Sequence, residues 1–179
     1  KRYPTGEASI PYEVLPFSLN KEEALYNFIG NIRKTRCVAI FDSPGNLKQQ
    51  GLVTLFANSD YIVCPYHYDR TTIPSTATFI AFLQKLKTAM GGNMNARLIL
   101  VPNRHDPRVG RKSELKLWEE TKETFSRYGL VTPKINMKAD MERFCTLSDL
   151  DWQLEVTQAA YDTIYKEIFG HIEAETDNG

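Results

Sequence analysis

Apolar and polar positions group along the chain into segments that predict strands and helices in turn. Apolar runs without polar alternation occupy residues 37–41, 61–65 and, after Arg97, 98–102. They predict strands over residues 37–41, 61–65 and 97–102 that are buried on both faces, as in a parallel sheet. Apolar residues at helical spacing predict helices over about residues 20–34, 47–57, 74–90, 112–128 and 152–169. Repeated βα units predict a mostly parallel sheet with helices on both faces, a three-layer α/β sandwich.

Less regular segments complete this prediction. A short extended piece is expected over residues 131–135, an irregular stretch over 136–149, and a polar, frayed tail over 171–179. Asn20 is expected to cap the first helix. Since no linker or internal repeat interrupts the pattern, residues 1–179 are predicted to form a single domain.

Polar side chains follow each of the three predicted strands. They occupy residues 42–45, 66–70 and 103–108, and the carboxyl ends of parallel strands are where open α/β sheets bind ligands. Asp42 at such an edge suits holding Mg²⁺ or its bound water beside a phosphate. The alternative is that Asp42 caps the turn that follows it.

Composition narrows the classes of partner. The chain has 22 Lys and Arg against 22 Asp and Glu, so a contact with nucleic acid has to come from a local patch. The densest positive stretch is residues 104–112, whose alternative role is a solvated loop. No apolar run approaches the roughly 18–20 residues of a membrane span, and no signal peptide is visible. The three dispersed cysteines indicate reduced thiols and a cytoplasmic protein.

Two other chemistries find little support. The three histidines lack metal-ligand spacing. A nucleophilic pair of Cys64 and His67 is conceivable, but Cys64 is expected to be a buried strand residue.

The order of the motifs resembles a known family. Residues 42–45 (Asp-Ser-Pro-Gly), residues 57–65 and residues 103–108 (Asn-Arg-His-Asp-Pro-Arg) follow one another as in the C-terminal half of ParA/MinD-type P-loop ATPases. The resemblance covers about residues 36–170 and is most similar to ParA-like proteins of plasmids and conjugative transposons. It implies a P-loop NTPase-like fold whose N-terminal P-loop part is absent from the chain. The first residue is Lys1, which fits a fragment of a longer ATPase, a processed product or a trimmed chain.

The resemblance also implies roles for individual residues. Asp42 would be catalytic and order Mg²⁺ through water. Asn103 would bond the adenine edge, with a turn-starting role as its alternative. Asp69 and Arg70 would lie near a dimer face or the nucleotide, with a local salt bridge as the alternative. The implied nucleotide-binding residues are Ser43, Pro44, Gly45, Asn103 and Arg104, and the implied DNA-binding residues are Arg108, Arg111, Lys112 and Arg143, which Lys134 and Lys138 could join.

The chain departs from the family in one large respect. It contains neither a G-x-x-x-x-G-K-[ST] loop nor the lysine-bearing variant of this family, so by itself it is expected neither to hold ATP tightly nor to hydrolyse it. In a complete protein, ATP and Mg²⁺ would bridge a homodimer that binds DNA non-specifically. A ParB-like or transfer-apparatus partner protein would trigger hydrolysis.

Two alternatives stay open. One is a non-catalytic ParA-like protein or DNA-binding module. The other is a small flavodoxin-like or metabolic α/β enzyme that uses Asp42 with His67 or His105.

Overall fold

A computed structural model describes residues 12–106, 108, 110–139, 141 and 151–176, with side chains of the final helix described over residues 153–170. The elements are α1 (Glu22–Ile32), α2 (Leu52–Ala57), β1 (Tyr61–Tyr66), α3 (Thr72–Ala89), β2 (Arg97–Pro102), α4 (Lys112–Ser126), β3 (Leu130–Val131) and α5 (Asp151–Thr176). The strands predicted over residues 61–65 and 97–102 are confirmed.

The three strands form one parallel sheet in the order β1-β2-β3. β1 pairs with β2 from Tyr61 opposite Arg97 to Tyr66 opposite Pro102. Each crossover passes through a helix, α3 between β1 and β2 and α4 between β2 and β3. The α/β class and the parallel sheet predicted from the apolar runs are therefore observed.

Hydrophobic side chains pack on both faces of this sheet. Leu98 and Leu100 belong to a large core shared with α1, α2, α3 and α4, whereas Ile99 and Val101 belong to a second core with α5. Alternate residues of β2 thus face opposite cores, and its positions 98–102 are all buried.

Residues 37–41, the first strand predicted from the sequence, do not form a strand. Val38 and Ile40 are 66% and 92% exposed, and the backbone of residues 38–45 makes no hydrogen bond within the described part of the chain. The prediction of a buried strand was wrong here, because an apolar run becomes a buried strand only where a neighbouring strand pairs with it. Asp42 consequently does not lie at the end of a sheet strand.

Three helix boundaries also differ from the prediction. Lys21 rather than Asn20 occupies the N-cap of α1, with no side-chain cap. The second helix begins only at Leu52, after Gly51, whose φ of +83° favours glycine. The final helix continues to Thr176, so residues 171–176 are helical where a frayed tail was predicted.

Candidate functional site

A cleft opens at the carboxyl edge of the sheet, beside the end of β2. It encloses about 300 Å³, the lower end of the usual range for small-ligand sites. Its lining residues come from the segment after β2 and the segment after β3: Asn103, Arg104, Ile135, Asn136, Met137, Lys138 and Met141. This edge is where parallel α/β sheets bind ligands.

Backbone hydrogen bonds fix the segment that carries Asn103. The Asn103 N–H donates to the carbonyl oxygen of Tyr66 at 2.7 Å, which ties the cleft to the end of β1. On the other side, the Ile135 N–H donates to Pro102 at 2.8 Å and the His105 N–H donates to Ile135 at 3.0 Å. The cleft therefore has walls held by sheet-like bonding on both sides.

The oxygen of the Asn103 side chain is hydrogen-bonded, whereas its nitrogen is not among the described contacts. Its Oδ1 accepts the backbone N–H of Arg104 at 2.8 Å, and its amide nitrogen makes no hydrogen bond within the described residues. The backbone of Arg104 has a φ of +52°, a left-handed conformation that residues other than glycine rarely adopt. Asn103 thus presents a free amide donor and one remaining acceptor lone pair.

Aromatic rings pack behind this segment. Tyr68 stacks on Trp118 with ring centroids 5.5 Å apart, and His105 meets the edges of both rings. The Tyr66 hydroxyl donates to the Tyr68 hydroxyl at 3.1 Å. Burial is the main cause that raises the pKa of Tyr66 and of Tyr68, so both phenols stay protonated and neither serves as a base.

His105 carries the unusual polar atom of the aromatic cluster. Its Nδ1 is buried and has no hydrogen-bond partner in the part of the chain that the structure describes. Burial, and then the nearby charge of Lys134, lower the pKa of His105, whereas Asp106 acts in the opposite direction. Lys134 itself lies 5.4 Å from the Tyr68 ring centroid and pairs with Glu119 at 3.4 Å.

Asp42 takes part in none of the described contacts of the cleft. It is exposed and makes no hydrogen bond or ion pair within the described residues. Magnesium sites typically use one or two carboxylates together with substrate phosphates and waters. A single unpaired carboxylate fits a water-mediated contact, and no group of three His, Cys, Asp or Glu residues in the described part of the chain is arranged for a metal. The predicted roles of Asp42, Ser43, Pro44 and Gly45 stay predictions.

Asp69 has a local role at the start of α3. Its carboxylate accepts the N–H groups of Thr71 and Thr72 and the Thr72 hydroxyl, at 2.6–2.8 Å. These hydrogen bonds lower the pKa of Asp69, and the bonds from Thr72 have the largest effect. The expected local alternative was a salt bridge. The observed partners are backbone and hydroxyl groups at the helix start, together with His67, whose Nδ1 lies 3.7 Å from the carboxylate.

The Cys64–His67 pair does not form an activated nucleophile. Burial raises the pKa of the Cys64 thiol to about 11. His67 instead lies 3.7 Å from Asp69, between Nδ1 and a carboxylate oxygen. A protonated, buried thiol lacks the thiolate that nucleophilic chemistry needs.

The predicted DNA-binding residues divide into two kinds. Arg108 binds Asp106 through two of its nitrogens, at 3.0 and 2.9 Å, and this pairing lowers the pKa of Asp106 to about 2. Arg111 and Lys112 are exposed and form no ion pair within the described chain. Arg143 lies outside the described residues.

A second cleft of about 380 Å³ lies at the opposite, amino-terminal edge of the sheet. Its lining includes Asn95 and the ion pair between Arg97 and Glu167, which are 2.7 Å apart. No sequence pattern indicated this cleft, and none indicated that Lys138 lines the first cleft. The segment after β3, which carries Lys138, reaches the first cleft through the bridge between His105 and Asn136. These two positions are far apart in the sequence.

Comparisons with family models, with curated proteins and with solved structures found no match to this chain. Within the described ranges, no helix combines the length and the apolar character needed to cross a membrane.

Proposed function

We propose that the chain is the C-terminal portion of a ParA-type partition or conjugative-element ATPase, and that the cleft beside Asn103 receives the adenine base. In this proposal ATP and Mg²⁺ bridge a homodimer, and the nucleotide state controls non-specific DNA binding and a partner protein that triggers hydrolysis. The proposal requires a phosphate loop with its lysine that these 179 residues do not contain.

One observation carries the proposal. Asn103 follows β2 at the carboxyl edge of a parallel sheet, its backbone is bonded to β1, and its amide nitrogen, at the cleft, has no hydrogen-bond partner among the described residues. A purine edge offers neighbouring donor and acceptor atoms, which a carboxamide matches with its own acceptor and donor. The bond from Arg104 N–H to Oδ1 also fixes which end of the amide faces the ligand.

The second candidate is a DNA-binding module without ATPase activity. Arg111 and Lys112 favour it, because both are exposed at the start of α4 without an ion-pair partner in the described chain. Such cations contribute salt-sensitive affinity for phosphates. Both candidates share this DNA contact, and only the ATPase proposal requires base recognition at Asn103.

Adenosine binding to the 179-residue chain tests base recognition. Ligand-observed NMR titrations compare adenosine with inosine, which reverses the donor and acceptor at two adjacent ring positions. We expect wild-type protein to prefer adenosine and Asn103→Ala to weaken adenosine binding roughly fivefold, the effect of about one lost hydrogen bond.

Asn95→Ala is the matched control. It removes the same side chain at the opposite edge of the sheet and should leave adenosine binding unchanged. Equal affinity for adenosine and inosine, or an Asn103→Ala variant that is folded by circular dichroism and binds like wild type, contradicts the proposal.

A further inference from the structure

Two cationic side chains line the cleft at the carboxyl edge, Arg104 and Lys138. Neither forms an ion pair within the described part of the chain. No carboxylate is among the described lining residues. Among the described residues, the cleft therefore carries positive charge with no carboxylate in its lining.

The bridge between His105 and Asn136 brings together the two backbone segments that carry these cations. Arg104 directly precedes His105, and Lys138 directly follows Met137, whose N–H donates to the His105 carbonyl oxygen at 2.8 Å. The two positions therefore flank one backbone-bonded junction. Backbone hydrogen bonds at the sheet edge therefore fix the positions from which both cationic side chains extend.

Neighbouring charges are already engaged elsewhere. Asp106, the acidic group next along the chain, is neutralised by Arg108. Lys134 is paired with Glu119. Arg104 is held at positive φ by the Asn103 side chain, and such disfavoured conformations persist where the surroundings enforce them, often at ligand sites.

We propose that Arg104 and Lys138 together bind the phosphate group of a mononucleotide in this cleft. The guanidinium offers paired donors that match phosphate oxygens, and the ammonium adds a compact positive charge. The position of the base on Asn103 rests on the function proposed above, whereas the phosphate contact rests on the two cations alone.

The test compares AMP, adenosine and inorganic phosphate as probes of the 179-residue chain, with dissociation constants from NMR or calorimetric titration. We expect AMP to bind about tenfold more tightly than adenosine, and the difference to shrink as salt is raised, since partly exposed charges are screened. Arg104→Gln and Lys138→Gln should each weaken AMP and phosphate binding. The double variant should bind AMP no better than adenosine.

Arg111→Gln and Lys112→Gln are the matched controls. They remove the same charges at the start of α4, outside the cleft lining, and should leave AMP binding unchanged. Equal losses in these controls, or AMP binding that survives the double substitution, overturn the proposal. A short DNA duplex that needs the same two cations and binds more tightly than AMP overturns it as well.

The outcomes separate this inference from the base-recognition proposal. Phosphate binding that depends on Arg104 and Lys138, with adenosine binding indifferent to Asn103, supports the phosphate contact and contradicts adenine recognition. If adenosine binding depends on Asn103 and AMP binds no more tightly than adenosine, adenine recognition is supported and the phosphate contact is contradicted.

Discussion

His105 shows how one side chain links the packing of the molecule to its cleft. Its backbone forms the bridge to Asn136 that closes one side of the cleft, while its ring makes T-shaped contacts with the stacked rings of Tyr68 and Trp118. The ring gains apolar contacts there, but its Nδ1 is buried and has no hydrogen-bond partner among the described residues. A polar atom left unpaired in this way costs stability, and the cost grows when the ring becomes charged.

Acid pH should therefore destabilise the protein partly through His105. Since its folded-state pKa is lowered, the unfolded chain takes up a proton first as pH falls below about 6.5, and stability drops until the folded-state pKa is reached. Urea unfolding at pH 7.5 and pH 5 measures the drop. His105→Phe, which keeps a ring, should reduce it.

Lys134→Gln provides a second variant for the same effect. It removes the positive charge that helps to lower the pKa of His105, so it should also make the pH dependence shallower. Asp106 remains in both variants and acts against the shift. If His105→Phe loses as much stability on acidification as wild type, this account of the ring is wrong.

At the scale of elements, α3 depends on a side chain outside the helix. The first N–H groups of a helix have no partner within it, and Asp69 supplies one carboxylate for those of Thr71 and Thr72. The carboxylate also lies at the positive end of the helix dipole. α3 packs Ile80, Leu83 and Leu86 into the larger core, so its start positions a substantial part of the fold.

Asp69→Ala should lower the free energy of unfolding by about 1 kcal/mol, the usual effect of a lost helix cap. Its pKa is lowered in the folded protein, so the contribution is present above a pH of about 3.9 and disappears as pH falls through the folded-state pKa. Chemical denaturation at pH 7 measures the change. Asp42→Ala, which removes a carboxylate with no described partner, should have no measurable effect, and equal losses in the two variants would show that capping is not the cause.

The element scale also explains what the sequence could predict. β2 matched its predicted range of 97–102 because an uninterrupted apolar run there is covered on both faces and paired on both edges. Residues 37–41 have a similar run without a partner strand. The carbonyl oxygens of Asp60 and Tyr66 accept the N–H groups of Arg97 and Asn103. Since backbone groups alternate in direction along a strand, those of Val63 and Pro65 point to the edge of β1 that does not face β2. A proline at such a position is typical of an edge strand. A single run of residues does not indicate whether a partner strand is present.

The cleft shows the same limit of sequence reasoning. Asn103 and Arg104 could be placed at the edge of the sheet because they directly follow a predicted strand. Lys138 could not, since its position depends on the bridge to His105 rather than on a strand of its own. Contacts between distant segments depend on the packed fold, which local propensity does not encode.

At the scale of the whole molecule, charge is balanced overall and uneven locally. Equal numbers of acidic and basic residues leave no global field for a polyanion. At the start of α4, however, Arg111 and Lys112 remain unpaired among the described residues, while Arg108 is held by Asp106. DNA affinity should therefore depend on this small surface and on how many of its cations are free.

Replacing Arg111 and Lys112 with Ala should weaken DNA binding and reduce the slope of log affinity against log salt by about 1 for each lost phosphate contact. Asp106→Asn should act in the opposite direction, because it releases Arg108 from a neighbouring carboxylate. Fluorescence-anisotropy titrations of a DNA duplex at several salt concentrations measure both effects. Lys85→Ala, on the exposed side of α3, is the matched control and should leave the slope unchanged. An unchanged slope in the Arg111 and Lys112 variants would exclude this surface as the DNA contact.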